Sequence, residues 1–345
     1  MESALLDATA FPHIYERVVA HAPYELLLRL RLVSRASLES ADRKLFEHIA
    51  CSGDNNPPVF RSLSSISSGS SVRRLPIPPL AEEDVHPDSG LKYTQMIDIE
   101  TFSENLDIYF MGVRFPALQT VRRRAWTILR APATVVDVLR FPPHGTFDSC
   151  ISPLVPVPPR HVILVLFDPL WDGLAWPINM IAPFWDVDVH AIIVFRSCPR
   201  VEGLPIRITR PQDDQATGTF LRFFLRLVAH RHHKSYSIVG LEHIPPHILA
   251  EEVGLTSDDL LLAAAHQSTG DHQQWARVVA ERTVDAIGAL PTDAGEFLSD
   301  DEEFLDLKEI VEVLTLAEYR AREGEEVWER ELFGDELPAP LIQLS

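Results

Sequence analysis

Apolar residues recur at helical spacing through the first fifty residues of the chain. Pro12 can open a helix, because a first-turn residue has no use for the N–H that proline lacks. Ile14, Val18 and Ala22 then follow at four-residue intervals, and Pro23 ends the run. Two further runs share this spacing: Leu26, Leu27, Leu30 and Val33, then Leu38, Ala41, Leu45 and Ile49. The pattern predicts three short helices, which bury too little apolar area to be stable without a docked neighbour.

Short apolar segments predict strands farther along the chain. Three of them follow residue 90, at 94–99, 115–123 and 133–141. The uninterrupted run HVILVLF at 161–167 is typical of a strand that is buried on both faces of a parallel sheet. The segments 189–195 and 235–244 predict two more strands. A single Phe-Pro-x-Leu before Val121 resembles the entry into a leucine-rich-repeat strand, although no regular period continues from it.

Helical patterns alternate with these strands. Trp171–Trp185 is a helical candidate interrupted by two prolines, and Phe220–Val228 has the clearest amphipathic spacing. A further helix is predicted over Trp275–Ile287, and the capping-box spacing of Thr315 and Glu318 predicts one that starts near residue 316. The alternation predicts an α/β fold: an N-terminal three-helix unit, then a layered domain with a mostly parallel sheet, either degenerate leucine-rich-repeat-like or Rossmann-like.

Composition suggests where these parts begin and end. Ser62–Ser71 holds seven serines in ten residues and predicts a flexible linker. The predicted division is therefore a helical unit at 1–55, a Ser/Pro-rich linker at 56–90, an α/β domain at 91–290 and an acidic helical segment at 291–345.

Charge is concentrated near the C-terminal end. The formal net charge is −19, and the stretch from Asp293 to Glu336 carries seventeen acidic residues against four basic ones. Such a chain repels phosphate backbones, so nucleic acid is a poor candidate partner. A solvated acidic face is the simpler interpretation of the acidic stretch.

Cysteine usage and hydropathy bear on the compartment. Cys51, Cys150 and Cys198 are odd in number and far apart, which predicts neither a disulfide framework nor a zinc site. No signal peptide is evident, and the longest apolar run is far too short to span a membrane. We expect a soluble protein of the cytoplasm or nucleus that does not bind membranes.

Residues 11–46 carry a resemblance to a known family. The pairs Phe11-Pro12, Val18-Val19 and Ala22-Pro23, followed by a Leu-rich helix, resemble the F-box in the looser form found in fungal proteins. The resemblance implies docking onto the Skp adaptor of a cullin ubiquitin ligase through eight residues: Phe11, Pro12, Ile14, Val18, Val19, Leu27, Leu30 and Val33. An ordinary helical hairpin buried in its own domain is the alternative.

The segment 304–331 carries a second resemblance, to the closing part of fungal F-box-containing proteins. Together the two resemblances imply a substrate-recognition subunit that binds the Skp adaptor and a protein substrate, with no catalytic residue, metal or cofactor of its own. A scaffold with a vestigial F-box is one alternative. A degenerate nucleotide-binding α/β enzyme is another.

An enzyme would place its site beyond the carboxyl ends of the strands. The residues predicted there are Asp168, Asp172, Ser197, Cys198, Glu242 and His243. No Gly-rich phosphate loop, nucleophile elbow or zinc-binding motif accompanies them. The cluster His230, His232 and His233 ends the Phe-rich helical run, where capping is a simpler role than metal binding.

Overall fold

The computed structural model describes residues 11–52, 59–63, 75, 90–101, 115–123, 133–141, 160–167, 176–177, 187–197, 217–218, 228, 233–244, 249–250, 253–269, 272–289 and 307–333. The chain forms two compact units. The first comprises Met1–Thr134 with Ser152–Pro156, and the second comprises Val135–Ile151 with Val157–Ser345.

The first unit opens with three helices, α1 (Pro12–Ala20), α2 (Tyr24–Leu30) and α3 (Arg35–Phe46), which confirms the three helical runs of the sequence. Its described strands follow in one sheet: β1 (His48–Ser52), β2 (Val59–Ser62), β3 (Met96–Thr101) and β4 (Thr120–Arg123). The strand order is β2-β1-β3-β4, in which β2 is antiparallel to β1 and the other pairs are parallel.

The core of this unit lies between the helices and one face of the sheet. Its buried side chains come from every element: Val19, Tyr24, Leu27, Ala41, Leu45, Phe46, Ile49, Cys51, Phe60, Ile97, Ile99 and Val121 are among them. Packing is close at Gly90, where an added Cβ would lie 2.4 Å from the ring of Phe46. Glycine is therefore required there for the chain to pass against α3.

The second unit contains the remaining elements. Its strands are β5 (Thr134–Phe141), β6 (Arg160–Phe167), β7 (Trp176–Pro177), β8 (Val187–Ser197), β9 (Thr217–Gly218), β10 (His233–Val239) and β11 (Val311–Leu314). Its helices are α4 (Ser257–Thr269), α5 (His272–Ala289), α6 (Leu307–Ile310), α7 (Leu316–Glu323) and α8 (Glu325–Leu332). The capping box predicted at the start of α7 is present.

The main sheet of this unit runs in the order β5-β6-β8-β10-β11, with every pair parallel. Ile163 and Val165 of β6 face a core that includes α5, while Val162, Leu164 and Leu166 face Tyr319, Trp328 and Leu332 of α7 and α8. Residues 162–166 of the apolar run are thus buried on both faces of the sheet, as predicted. The α/β fold with a mostly parallel sheet is confirmed, with helices on both sides of this sheet.

Several predicted boundaries differ from the structure. Residues 48–52 and 59–62 are strands of the first sheet, where a helical unit and a linker were predicted. Residues 311–314 of the predicted helical C-terminal segment add a strand beside β10. Trp176–Pro177 pairs with Thr217–Gly218 as a short antiparallel bridge instead of a helix. Most of the Ser-rich stretch and of 220–228 lies outside the described residues.

Candidate functional site

Prolines lie at the starts of the first two helices: Pro12 is the first residue of α1, as predicted, and Pro23 is the N-cap of α2. The carbonyl oxygen of Phe11 accepts hydrogen bonds from the N–H groups of Ile14 and Tyr15, both at 3.1 Å. The carbonyl oxygen of Pro23 accepts in the same way from Leu26 and Leu27, both at 3.0 Å. These bonds fix the first turn of each helix.

A short turn joins α2 to α3 and is held by hydrogen bonds at both of its ends. Its Leu32 and Val33 N–H groups donate to the carbonyls of the last turn of α2, at 3.0 and 3.1 Å. Ser34 caps α3 by accepting from the Ser37 N–H at 3.1 Å. Arg31 pairs with Asp42 of α3 at 2.5 Å. Burial raises the pKa of the Asp42 carboxyl in spite of this guanidinium. The turn is thus a preorganised structure.

Five of the eight residues predicted to bind the adaptor are exposed. Phe11 is 53% exposed, Ile14 42%, Val18 41% and Val33 58%, and Pro12 is exposed as well. Leu30 is partly buried against the core.

Two predicted docking residues belong to the core instead. Val19 is 7% exposed and Leu27 is fully buried, each packed between the helices and the sheet. They directly follow Val18 and Leu26 in the sequence, and the F-box resemblance that implied them did not separate the inner face of each helix from the outer one. A partner of the folded chain cannot reach their side chains.

Two leucines that were not among the predicted docking residues are also exposed. Leu26 is 38% exposed and Leu32 is 88% exposed. The sequence signal was the run Leu26–Leu28, since three consecutive residues cannot all face one side of a helix. We call Phe11, Ile14, Val18, Leu26, Leu32 and Val33 the exposed apolar set. Of the eight large apolar side chains exposed among the described residues, these are six.

The other face of the first sheet carries paired charges. Arg122 of β4 donates two hydrogen bonds to Asp98 of β3, at 2.6 and 2.7 Å, and His48 of β1 lies 3.2 Å from the same carboxylate. Burial opposes ionisation of Asp98, but the bonds from His48 and Arg122 outweigh it and hold its pKa at about 2. Arg61 likewise pairs with Glu100. These charges satisfy one another, so the cluster is structural.

The carboxyl edge of the second sheet brings three predicted enzyme candidates together. Ser197, at the end of β8, lies 3.1 Å from the Nδ1 atom of His243. The adjacent Glu242 is 4.0 Å from the His243 Nε2 atom, and it accepts a 2.7 Å hydrogen bond from the Leu316 N–H at the start of α7. This carboxylate therefore caps a helix. Asp168, Asp172 and Cys198 lie outside the described residues.

Gly240 allows Ser197 and His243 to lie side by side. Its φ of +82° is in the left-handed region, and an added Cβ would lie 2.2 Å from the carbonyl oxygen of Phe195. Only glycine fits so close to β8, and the 3₁₀ turn Leu241–His243 follows directly. The local backbone, rather than a recognisable motif, places His243 beside Ser197.

A polar network connects the second sheet to α7. The His190 Nδ1 atom lies 2.7 Å from the Ser235 hydroxyl and its Nε2 atom 3.0 Å from that of Ser237, which donates to Glu312 at 3.1 Å. Arg322 of α7 binds the same Glu312 carboxylate. Because the Ser237 proton goes to Glu312, the Ser237 oxygen accepts from the His190 Nε2–H, which leaves Nδ1 of a neutral imidazole able to accept from the Ser235 hydroxyl. The network therefore accommodates a neutral imidazole.

This network predicts a loss of stability in mild acid. Burial first, and then Arg160 and Arg322, lower the pKa of His190. The unfolded chain therefore binds the proton more readily, and the free energy of unfolding declines as pH falls below about 6.5. We expect urea unfolding at pH 7.5 and 5.5 to show this decline in the wild type and a smaller one in His190→Gln. An equal decline in both would contradict the prediction.

The described residues include no group of three or more His, Cys, Asp or Glu side chains that could hold a metal ion. His230 and His232 lie outside them, and His233 begins β10. None of the described helices is both long enough and apolar enough to cross a bilayer. Comparison of the chain with protein-family models, with curated proteins and with solved structures finds no match.

Proposed function

We propose that the chain is the substrate-recognition subunit of a Skp/cullin/F-box ubiquitin ligase. The observation that carries the proposal is the exposed apolar set, which concentrates most of the exposed large apolar side chains of the described residues on the first helices. Such concentrations mark interaction sites, whereas single exposed apolar residues are ordinary. The Skp adaptor is the partner that the F-box resemblance of the same residues implies.

One helix face and one turn of the exposed apolar set suit an adaptor interface. α1 presents Ile14 and Val18 at four-residue spacing, and the preorganised turn after α2 presents Leu32 and Val33. A turn whose backbone is already held in place loses little conformational freedom on binding, which favours affinity. In this role the second unit binds a protein substrate, and the chain raises the effective concentration of that substrate near the ubiquitin carrier without any catalytic residue. We expect this role in the cytoplasm or nucleus.

Co-purification with a fungal Skp adaptor tests the proposal. We expect the wild type to retain the adaptor and the double variant Val18→Asp, Val33→Asp to lose it, because a carboxylate buried in an apolar interface is strongly unfavourable. Both positions are exposed, so the variant should remain folded, as thermal unfolding would verify. Leu261→Asp, at a leucine that is 69% exposed on α4, is the matched control and should still bind.

The outcomes separate the alternatives. Absence of adaptor from the wild-type sample would contradict the ligase function and favour a scaffold with a vestigial F-box. Equal retention by the wild type and the double variant would mean that the adaptor binds elsewhere on the chain.

The contact between Ser197 and His243 favours a second candidate, an α/β enzyme. Two features weigh against it: Glu242 caps α7, and the described strands of the second sheet follow one another in sequence order, without the reversal at which nucleotides bind in doubly wound folds. Covalent labelling of Ser197 by a fluorophosphonate, abolished in His243→Gln, would support the enzyme.

A further inference from the structure

The arginines around the exposed apolar set lack the acidic partners that most of the other described arginines have. Arg17, Arg29 and Arg35 are exposed, and no carboxylate of the described residues lies within ion-pair distance of them. Most other arginines with described side chains have acidic partners, as in the pairs Arg31–Asp42, Arg122–Asp98 and Arg160–Glu323. The first helices therefore keep unpaired arginines, whereas most arginines elsewhere in the described part of the chain are paired with carboxylates.

These arginines share helix faces with the apolar residues. Arg17 follows Ile14 by three residues and adjoins Val18, and Arg29 follows Leu26 by three. Residues three or four apart lie on one face of a helix. Arg35 begins α3, two residues after Val33. Each exposed apolar stretch is thus bordered by a guanidinium group.

The charge of this region is opposite to that of the whole chain. Residues 11–36 contain four arginines, of which Arg31 pairs with Asp42, and two glutamates, whereas the formal net charge of the protein is −19. A locally positive surface on an acidic protein attracts an acidic partner surface and repels basic ones. Unpaired guanidinium groups are also the donors that bind carboxylates in a two-pronged geometry.

We propose that the partner of the exposed apolar set is a protein surface in which carboxylates surround an apolar pocket, and that Arg29 and Arg35 bind those carboxylates. This inference rests on the proposed function, since it describes the surface by which the Skp adaptor would bind. The apolar side chains then supply most of the affinity. The arginines supply orientation and a faster association.

Association kinetics with the immobilised Skp adaptor test this inference on the full chain. We expect Arg29→Glu combined with Arg35→Glu to lower the association rate constant roughly tenfold at low salt, with the difference shrinking in high salt as the charges are screened. Arg277→Glu is the control, because Arg277 is also exposed and has no ion pair within the described part of the chain. It should associate like the wild type.

Three results would overturn the inference. In the first, the wild type binds and Val33→Asp abolishes binding, but neither salt nor the arginine variants change the association rate. The proposed carboxylates around the apolar pocket are then wrong, and the docking function stands. If the wild type does not bind the adaptor, both fail together. If it binds vesicles of phosphatidylserine and phosphatidylcholine instead, and the double arginine variant does not, the surface is a membrane site.

Discussion

Replacing Trp328 by alanine lowers the free energy of unfolding of the second unit by about 3–5 kcal/mol. The indole is 4% exposed and packs with Tyr319 and Leu332 against the strand face that includes Leu164. The guanidinium groups of Arg196 and Arg320 lie 5.0 and 5.1 Å from its ring centre. Alanine therefore removes a large buried ring and two cation–π contacts. Urea unfolding followed by circular dichroism measures the loss.

Two further variants make this prediction specific. Trp328→Phe should cost much less, because it keeps a ring and because the indole Nε1–H has no hydrogen-bond partner to lose. Leu261→Ala, at an exposed leucine, should change stability by no more than about 0.5 kcal/mol. Equal losses of unfolding free energy in Trp328→Ala and Trp328→Phe would show that an aromatic ring at this position does not stabilise the packing of α8.

Replacing Arg122 by methionine lowers the free energy of unfolding of the first unit by about 3 kcal/mol or more at pH 7. The variant leaves Asp98, whose side chain is 19% exposed, ionised without its two-pronged partner. The double variant Arg122→Met, Asp98→Asn should recover much of the loss, because no unpaired carboxylate remains. A double-mutant cycle from chemical unfolding gives the coupling between the two side chains.

The same ion pair predicts an acid dependence. The pKa of Asp98 is lowered from 3.8 to about 2, so its contribution is complete above about pH 4 and is lost as pH falls through 2. Asp98→Asn should remove this part of the acid dependence. If the cycle shows no coupling and the acid dependence survives in Asp98→Asn, the ion pair does not stabilise the first sheet.

The candidate docking surface was only partly predictable from the sequence. Apolar spacing located α1 and α2, whereas the F-box resemblance placed Val19 and Leu27 among the docking residues and did not include Leu32. Either of two neighbouring apolar residues on a short helix can be the buried one until a sheet covers one face of the helix. The burial of Val19 and the exposure of Val18 were decided when the helices packed on β1 and β3.

The contacts within the polar clusters could not be predicted, although the sequence placed Ser197 and His243 at the same edge of a sheet. Asp98 and Arg122 are separated by 24 residues, and Ser197 and His243 by 46. Parallel strand register joins the first pair, because Asp98 stands opposite Arg122 in β3 and β4. The close approach of Gly240 to β8 joins the second.

By itself the sequence determined the local elements: the helix that begins at Pro12, the capping box at Thr315 and the strand 160–167, whose residues 162–166 are buried on both faces. These features depend on backbone geometry and on apolar periodicity within a few residues. Tertiary structure alone decided that 48–52 and 311–314 are strands, because segments so short become strands only beside a partner. It also decided which apolar and charged side chains remain exposed, since burial depends on elements that are distant in the chain.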